Sequence, residues 1–216
     1  MLTVHHLGKS QSERIVWLCE ELGMPYELKC YARDSKTMLA PPEYKALHPI
    51  EAAPVITDGD VVLAESAAIV EFILTRHGAG GASVASVAPD EPNYPDYLYW
   101  FHFVNGTLQP ALSRGMFLRF AGLAADHPMV ATFAARRHLA LSAVEQRLGQ
   151  TAYLAGDALT AADIMIVFTL TTMRYFAPFD LGSYPNILAY LQRISQRPGY
   201  QSAMAKGDPG MELLLT

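Results

Sequence analysis

The sequence predicts an α/β domain of element order βαβαββα followed by an all-α domain, and three observations carry this. Strand-like and helix-like patterns alternate up to about residue 78. From Gly78 to Pro95 the composition turns to Gly, Ala, Ser and Pro with little periodicity, and everything beyond repeats with a helical period. The domains are therefore expected at 1–78 and 95–216, with a linker at 79–94. With 216 residues, 51% of them hydrophobic and 17% charged, the chain can bury a core without staples and has a globular rather than a disordered composition.

Leu2 to Leu7 alternates as a strand does. Ser10-Gln11-Ser12-Glu13 then precedes the apolar stripe Ile15, Leu18, Cys19 and Leu22, which closes near Gly23-Met24-Pro25 as a helix should. Tyr26 to Tyr31 reads as a second strand and completes a β-α-β unit. Pro41 to Leu47 suggests a short helix, Val55 to Thr57 and Val61 to Ala64 a hairpin through Asp58-Gly59, and Ser66 to Arg76 a closing helix. This order is that of a thioredoxin-like fold.

Beyond the linker, helical patterns run from Asp96 to Ala121, Met129 to Gln150, Ala161 to Met173 and Pro185 to Gln196, with a shorter piece at Tyr200 to Ala205. Thr160-Ala161-Ala162-Asp163 has the form of a capping box, with Leu159 and Ile164 in the staple positions. Asp163 is thus read as a folding element with no catalytic role.

Composition excludes several classes of function. Sixteen basic and 21 acidic residues give a net charge of −5 with no basic stripe, which argues against nucleic acid and anionic membranes as partners. No apolar run approaches the ~20 residues that span a bilayer, and no basic-then-apolar signal region opens the chain, so a cytoplasmic protein is expected. The two cysteines, Cys19 and Cys30, form no C-x-x-C motif, and no His/Cys spacing suits a metal. His5 and His6 on the first strand are expected to pack or face solvent.

The most informative stretch is Ala53-Pro54-Val55-Ile56, followed by the hairpin and then Glu65-Ser66 before an apolar helix. A proline opening a strand belongs at a strand start or in a tight, often cis, turn, and it leaves backbone groups free for a peptide-like ligand. A helix start carrying Ser66 offers unpaired N–H groups, a positive dipole end and a hydroxyl to a carboxylate. Strand edge and anion socket together describe a site for a small acidic peptide.

These residues, with the Thr160-x-x-Asp163 box and the endings Tyr184-Pro185-Asn186-Ile187 and Arg197-Pro198-Gly199-Tyr200, resemble the cytosolic glutathione transferases over almost the whole chain. The resemblance implies a homodimer of two-domain subunits that adds the glutathione thiolate to an apolar electrophile, with glutathione as co-substrate and no cofactor. It implies that Pro54 and Val55 align the peptide backbone and that Glu65 and Ser66 hold the γ-glutamyl end. The same activated thiolate would serve a glutathione-dependent peroxidase or reductase.

A thiol of pKa about 8.5 is nucleophilic only as its thiolate, and a two-unit shift needs roughly 2.7 kcal/mol. A helix N-terminus offers up to ~2 kcal/mol and a hydroxyl bonded to an anion roughly 1.5–3, so no separate base is required. By resemblance to transferases with a similar His-x-Leu-x-x-Ser start, the activating residue is sought at Ser10, then Ser12, then Gln11. The alternative for Ser10 is a capping box with Glu13.

One departure from the family pattern stands before the proline. Many members carry Gly-Lys or Gly-Arg there, whereas this chain reads His48-Pro49-Ile50-Glu51-Ala52-Ala53-Pro54. Glu51 would repel the glycyl carboxylate and Ala52 cannot pair with it, so unless His48, Lys36, Lys9 or Arg33 substitutes, affinity for glutathione should be weakened or the preferred thiol altered; the same two residues favour the rival reading of a catalytically silent binding module. On the helix from Asp96, about two-thirds of the rings Tyr97, Tyr99, Trp100, Phe101, His102 and Phe103 are expected to be structural. His102, Asn105, Arg114 and Phe117 are the candidates for lining a second-substrate pocket.

Overall fold

A computed structural model describes residues 1–78, 84, 86–124 and 126–216. The expected linker positions 79–83 and 85 lie outside the described residues. The elements are β1 (Leu2–Leu7), α1 (Glu13–Leu22), β2 (Glu27–Tyr31), α2 (Pro42–Lys45), β3 (Val55–Asp58), β4 (Val61–Ala64), α3 (Ser66–His77), α4 (Tyr94–Phe103), α5 (Gln109–Phe120), α6 (Pro128–Leu148), α7 (Ala161–Leu170), α8 (Pro185–Ser195) and α9 (Pro198–Gly207). By contacts the chain forms two units, Met1–Ser86 with Ile194–Leu213, and Val87–Arg193 with Leu214–Thr216.

The first unit is built on a mixed sheet of order β2-β1-β3-β4. β1 runs parallel to β2, with His6 opposite Cys30, and antiparallel to β3, with His5 opposite Val55. Strand alternation sends His5 and Leu7 to one face and Val4 and His6 to the other. Leu7, Tyr31, Tyr44, Val55 and Ala64 form the core on the first of these faces. His6 therefore looks toward the start of α1.

α1 buries Ile15, Val16, Leu18 and Cys19, so the Cys19 thiol is an apolar core group whose ionisation burial suppresses. The helix stops at Gly23, which takes the left-handed conformation (φ 60°) that a C-terminal cap requires. α9 packs along α1: Trp17 meets Tyr200 edge to face at 5.2 Å, and Arg197 grips Glu21 through bonds of 2.7 and 2.8 Å. This packing is why Ile194–Leu213 belongs with the first unit by contact.

The second unit is helical. The helix expected from Asp96 to Ala121 is instead α4, a π-helical turn at Val104–Leu108, and α5. Pro110 has no N–H for the carbonyl four residues back, and the wider turn absorbs that missing bond. Of the six rings on α4, Tyr97, Trp100, Phe101 and Phe103 are buried, while Tyr99 and His102 are exposed. α7 is buried throughout, and its capping box closes at Asp163, whose Oδ2 accepts the Thr160 N–H at 2.9 Å and its hydroxyl at 3.1 Å.

Candidate active site

The loop between β1 and α1 is held from two sides. Arg33 donates from Nε to the Gly8 carbonyl at 2.8 Å and from Nη2 to the Lys9 carbonyl at 3.3 Å. Lys9 adopts a left-handed φ of 52°, and its N–H donates to Asp208 Oδ1 at 2.9 Å. Arg33, offered from the sequence as a possible carboxylate partner, thus braces the loop with its guanidinium.

Inside the loop the two serines form a pair. Ser10 Oγ lies 2.7 Å from Ser12 Oγ and accepts the Ser12 N–H at 3.2 Å. Ser12 Oγ accepts the Leu7 N–H at 3.1 Å and lies 3.0 Å from His6 Nδ1. The alternative capping box between Ser10 and Glu13 is not formed: the Glu13 N–H goes to the Ser10 carbonyl at 3.1 Å. Ser12 already has helical dihedrals (φ −68°, ψ −16°), so its own N–H reaches the Ser10 hydroxyl first. Ser10 is 5% exposed and Ser12 wholly buried.

Gln11 meets the start of α3 through a buried cation. Arg14 Nη1 donates to Gln11 Oε1 at 2.6 Å and to Ser66 Oγ at 3.1 Å, and the Ser66 hydroxyl lies 3.4 Å from the same Gln11 oxygen. Burial pulls the Arg14 pKa down to about 9 against the opposing charge of Glu13. Glu65 precedes the helix with φ 73° and an exposed side chain, while Ser66 is buried. The loop therefore carries two bonded groups, Ser10 with Ser12 and His6, and Gln11 with Ser66 through Arg14.

The Ala53–Pro54 peptide bond is cis. Val55, expected to align a bound peptide, lies inside the ladder between His5 and Ala64, and its N–H faces the Tyr44 hydroxyl. β3 begins at that residue. Ala53 stands before the strand, outside the ladder. The proline that marks the turn was the signal for it.

His48 Nδ1 accepts the Ile50 N–H at 3.3 Å within its own turn. Glu51 has Lys45 at 3.9 Å, which offsets the repulsion expected from its carboxylate. Lys36 is exposed on the turn around Asp34, whose carboxyl is lowered by hydrogen bonds from Thr37 and the Lys36 N–H. In the helical unit, His102 ends α4, Asn105 sits in the π-helical turn, and Arg114 and Phe117 lie on α5. Arg114 stacks over Phe133 at 5.8 Å and Phe117 is 61% exposed. A cavity of about 110 Å³ beside α5 is lined by Leu112, Met116, Arg119, Phe133, Arg137 and Phe179, and not by Arg114 or Phe117.

Among the described residues no cluster of three or more His, Cys, Asp or Glu is placed to hold a metal ion, and no helix is long and apolar enough to cross a membrane.

The first unit thus combines a thioredoxin-like order of elements with a hydroxyl-bearing first loop, a cis-proline turn and a serine at a helix start. Residues 10–76 match the family model described as glutathione S-transferase, N-terminal domain, and residues 108–198 match glutathione S-transferase, C-terminal domain. Glutathione S-transferase 3 of Schizosaccharomyces pombe is 33% identical over 95% of this chain and 88% of its own. Glutathione S-transferase 1 of Saccharomyces cerevisiae is 29% identical over 95% of each. The crystal structure of a glutathione S-transferase from Actinobacillus pleuropneumoniae superimposes with a TM-score of 0.88 at 35% identity, covering 98% of this chain and 95% of that one. The chain belongs to the glutathione S-transferase family.

Proposed function

We propose that the protein conjugates the glutathione thiolate to apolar electrophiles and that Ser10 is the residue that meets the sulfur. The observation that carries this is the Ser10 hydroxyl, fixed by Ser12 at the entry to α1, where the helix dipole favours an anion. Its oxygen can accept both from the Ser12 hydroxyl and from the Ser12 N–H, which leaves its own hydrogen available to a thiolate. Ser12 supports it from behind, and Gln11 is the third candidate in the loop.

Glu65 and Ser66 take the γ-glutamyl end in this reading, with Arg14 orienting the Ser66 hydroxyl. Pro54 fixes the turn, and the Ala53 backbone pairs with the cysteinyl residue of the peptide. Lys45, His48 and Lys36 are the cations offered to the glycyl carboxylate in place of the family's Gly-Lys. His102, Asn105, Arg114 and Phe117 are retained as the positions at which the electrophile is selected, supported by the exposure of His102, Arg114 and Phe117. Glutathione enters as co-substrate without a further cofactor, the working assembly is a homodimer, and the compartment is the cytoplasm.

Conjugation assays with halogenated aromatics, epoxides and enones test the reading. Wild type should turn over at least one class, and Ser10→Ala should lower kcat about 100-fold, the effect of losing a single oxyanion-type donor. No turnover of any class at saturating glutathione overturns it. Light scattering that returns the mass of one 23.7 kDa chain removes the dimer.

A further inference from the structure

A buried line of hydrogen bonds runs from the segment after α9 to the first loop. Asp208 Oδ2 lies 3.1 Å from His6 Nε2, His6 Nδ1 lies 3.0 Å from Ser12 Oγ, and Ser12 Oγ lies 2.7 Å from Ser10 Oγ. His6 is 1% exposed, and Asp208 and Ser12 occupy its two ring nitrogens. Building on the function proposed above, we infer that Asp208, His6 and Ser12 are positioning residues that carry the glutathione thiol proton away from Ser10 and hold it on the His6 ring.

The direction of each hydroxyl follows from counting donors. Asp208 is an acceptor at both oxygens, taking the Lys9 N–H at Oδ1, so His6 must present N–H at Nε2. With His6 neutral, Nδ1 can only accept. Ser12 then donates to it, and Ser10 donates inward to Ser12, its hydrogen turned away from any ligand.

With His6 protonated the line reverses. Nδ1–H donates to Ser12, which also accepts the Leu7 N–H at 3.1 Å and turns its own hydrogen to Ser10 at 2.7 Å rather than to the more distant Leu7 carbonyl at 3.4 Å. Ser10, accepting from the Ser12 hydroxyl and the Ser12 N–H, turns its hydrogen outward. One added proton on His6 thus converts Ser10 from an inward donor into a donor aimed at sulfur.

The thiol itself supplies that proton. The S–H bond breaks with its electron pair left on sulfur, Ser10 Oγ takes the proton and passes its own to Ser12, and Ser12 passes its own to His6 Nδ1, whose lone pair forms the new N–H bond. Thiol and imidazole become thiolate and imidazolium, and both serines end as neutral hydroxyls. The imidazolium faces the Asp208 carboxylate, an arrangement analogous to the carboxylate that stabilises a protonated histidine in hydrolase triads.

The other groups around His6 suit this role. Cys30 stands opposite it on β2, its thiol pushed up by burial and by Asp208 and so neutral. Arg33 and Lys9 flank Asp208 rather than His6. Burial works to raise the Asp208 carboxyl, but the His6 hydrogen bond and charge and the Lys9 N–H outweigh it and hold it low.

The test counts protons. Glutathione is added at about pH 7.5, a unit below the ordinary thiol value and a unit above the ordinary imidazole value, in weak buffer with a pH indicator while thiolate ultraviolet absorbance is followed. Wild type should form thiolate while releasing far fewer than one proton per thiolate. Asp208→Asn, which keeps the shape but not the charge, should form about tenfold less thiolate at that pH. Any thiolate formed in His6→Asn should release its proton to solvent. If His6→Asn does not fold, the wild-type count and Asp208→Asn decide. One proton released per thiolate in wild type, or unchanged thiolate in Asp208→Asn, overturns the relay and leaves the transferase reading standing; no thiolate in wild type overturns both.

Discussion

The Arg14 guanidinium donates to the Ser66 hydroxyl at 3.1 Å across 52 positions of sequence, and the same nitrogen donates to Gln11 Oε1 at 2.6 Å. Arg14 is 1% exposed on α1, where its charge is costly to hold and its pKa falls to about 9. It ties Gln11 of the first loop to Ser66 at the start of α3.

Arg14→Lys tests that coupling. A lysine keeps the charge but not the planar fork, and it cannot hold Gln11 and Ser66 in the same geometry. KM for glutathione should rise about tenfold, the loss of one charge-assisted hydrogen bond, with a smaller change in kcat. Steady-state kinetics at saturating electrophile read this directly, and an unchanged KM would make the contact purely structural.

Gly199 is required by a close approach. A Cβ there would lie 2.7 Å from Glu21 Cδ, and Glu21 cannot yield because Trp17 Nε1 donates to it at 2.9 Å and Arg197 at 2.7 Å. Gly199→Ala should cost about 1–3 kcal/mol, as overpacking does, and lower Tm by about 2–4 °C per kcal/mol. Adding Glu21→Ala removes the clash, so the double variant should lose less than the sum of the two single variants in thermal unfolding.

Asp208 gives a pH dependence with a defined sign. Its folded pKa is lowered because the bonds from His6 and Lys9 outweigh the opposing effect of burial. The unfolded state therefore binds the proton more tightly, and the contribution to stability is full above the ordinary carboxyl value and lost as pH falls through the folded value. The Tm difference between wild type and Asp208→Asn should be present at neutral pH and shrink below about pH 4. A difference that stays constant into acid would assign it to packing rather than charge.

The fold was legible wherever period and punctuation coincide. Alternation gave β1, the stripe from Ile15 to Leu22 gave α1, and Pro54 ahead of an apolar run marked the cis turn. The π-helical turn at Val104–Leu108 was hidden because the helical pattern runs on through both sides of Pro110. In the site, Ser10, Gln11, Ser12 and Ser66 were legible as a loop and a helix start, each a local signal. Arg14 was passed over because it sits within an apolar stripe where period alone predicts a solvated charge. His6 and Asp208 meet across 202 positions, and no local pattern can join two residues that only the packing of α9 on α1 brings together.

Asp163 shows how a capping residue becomes the keystone of a buried helix. Its Oδ1 accepts the Leu154 N–H at 3.0 Å and the Tyr190 hydroxyl at 3.1 Å, while Oδ2 accepts the N–H and the hydroxyl of Thr160. Burial raises its pKa despite these four bonds, so the native carboxyl binds a proton more tightly than the unfolded one. Its contribution to stability therefore declines as pH rises from the unfolded to the folded value, and is flat above. Asp163→Asn must turn an NH₂ toward two donors, leaving at least one buried donor without an acceptor at a cost of about 1–3 kcal/mol. Thermal unfolding at neutral pH should show that loss, with the bound-thiolate absorbance of the folded fraction unchanged. A thiolate signal that disappears in folded protein would give Asp163 a role in the chemistry that its position on α7 does not suggest.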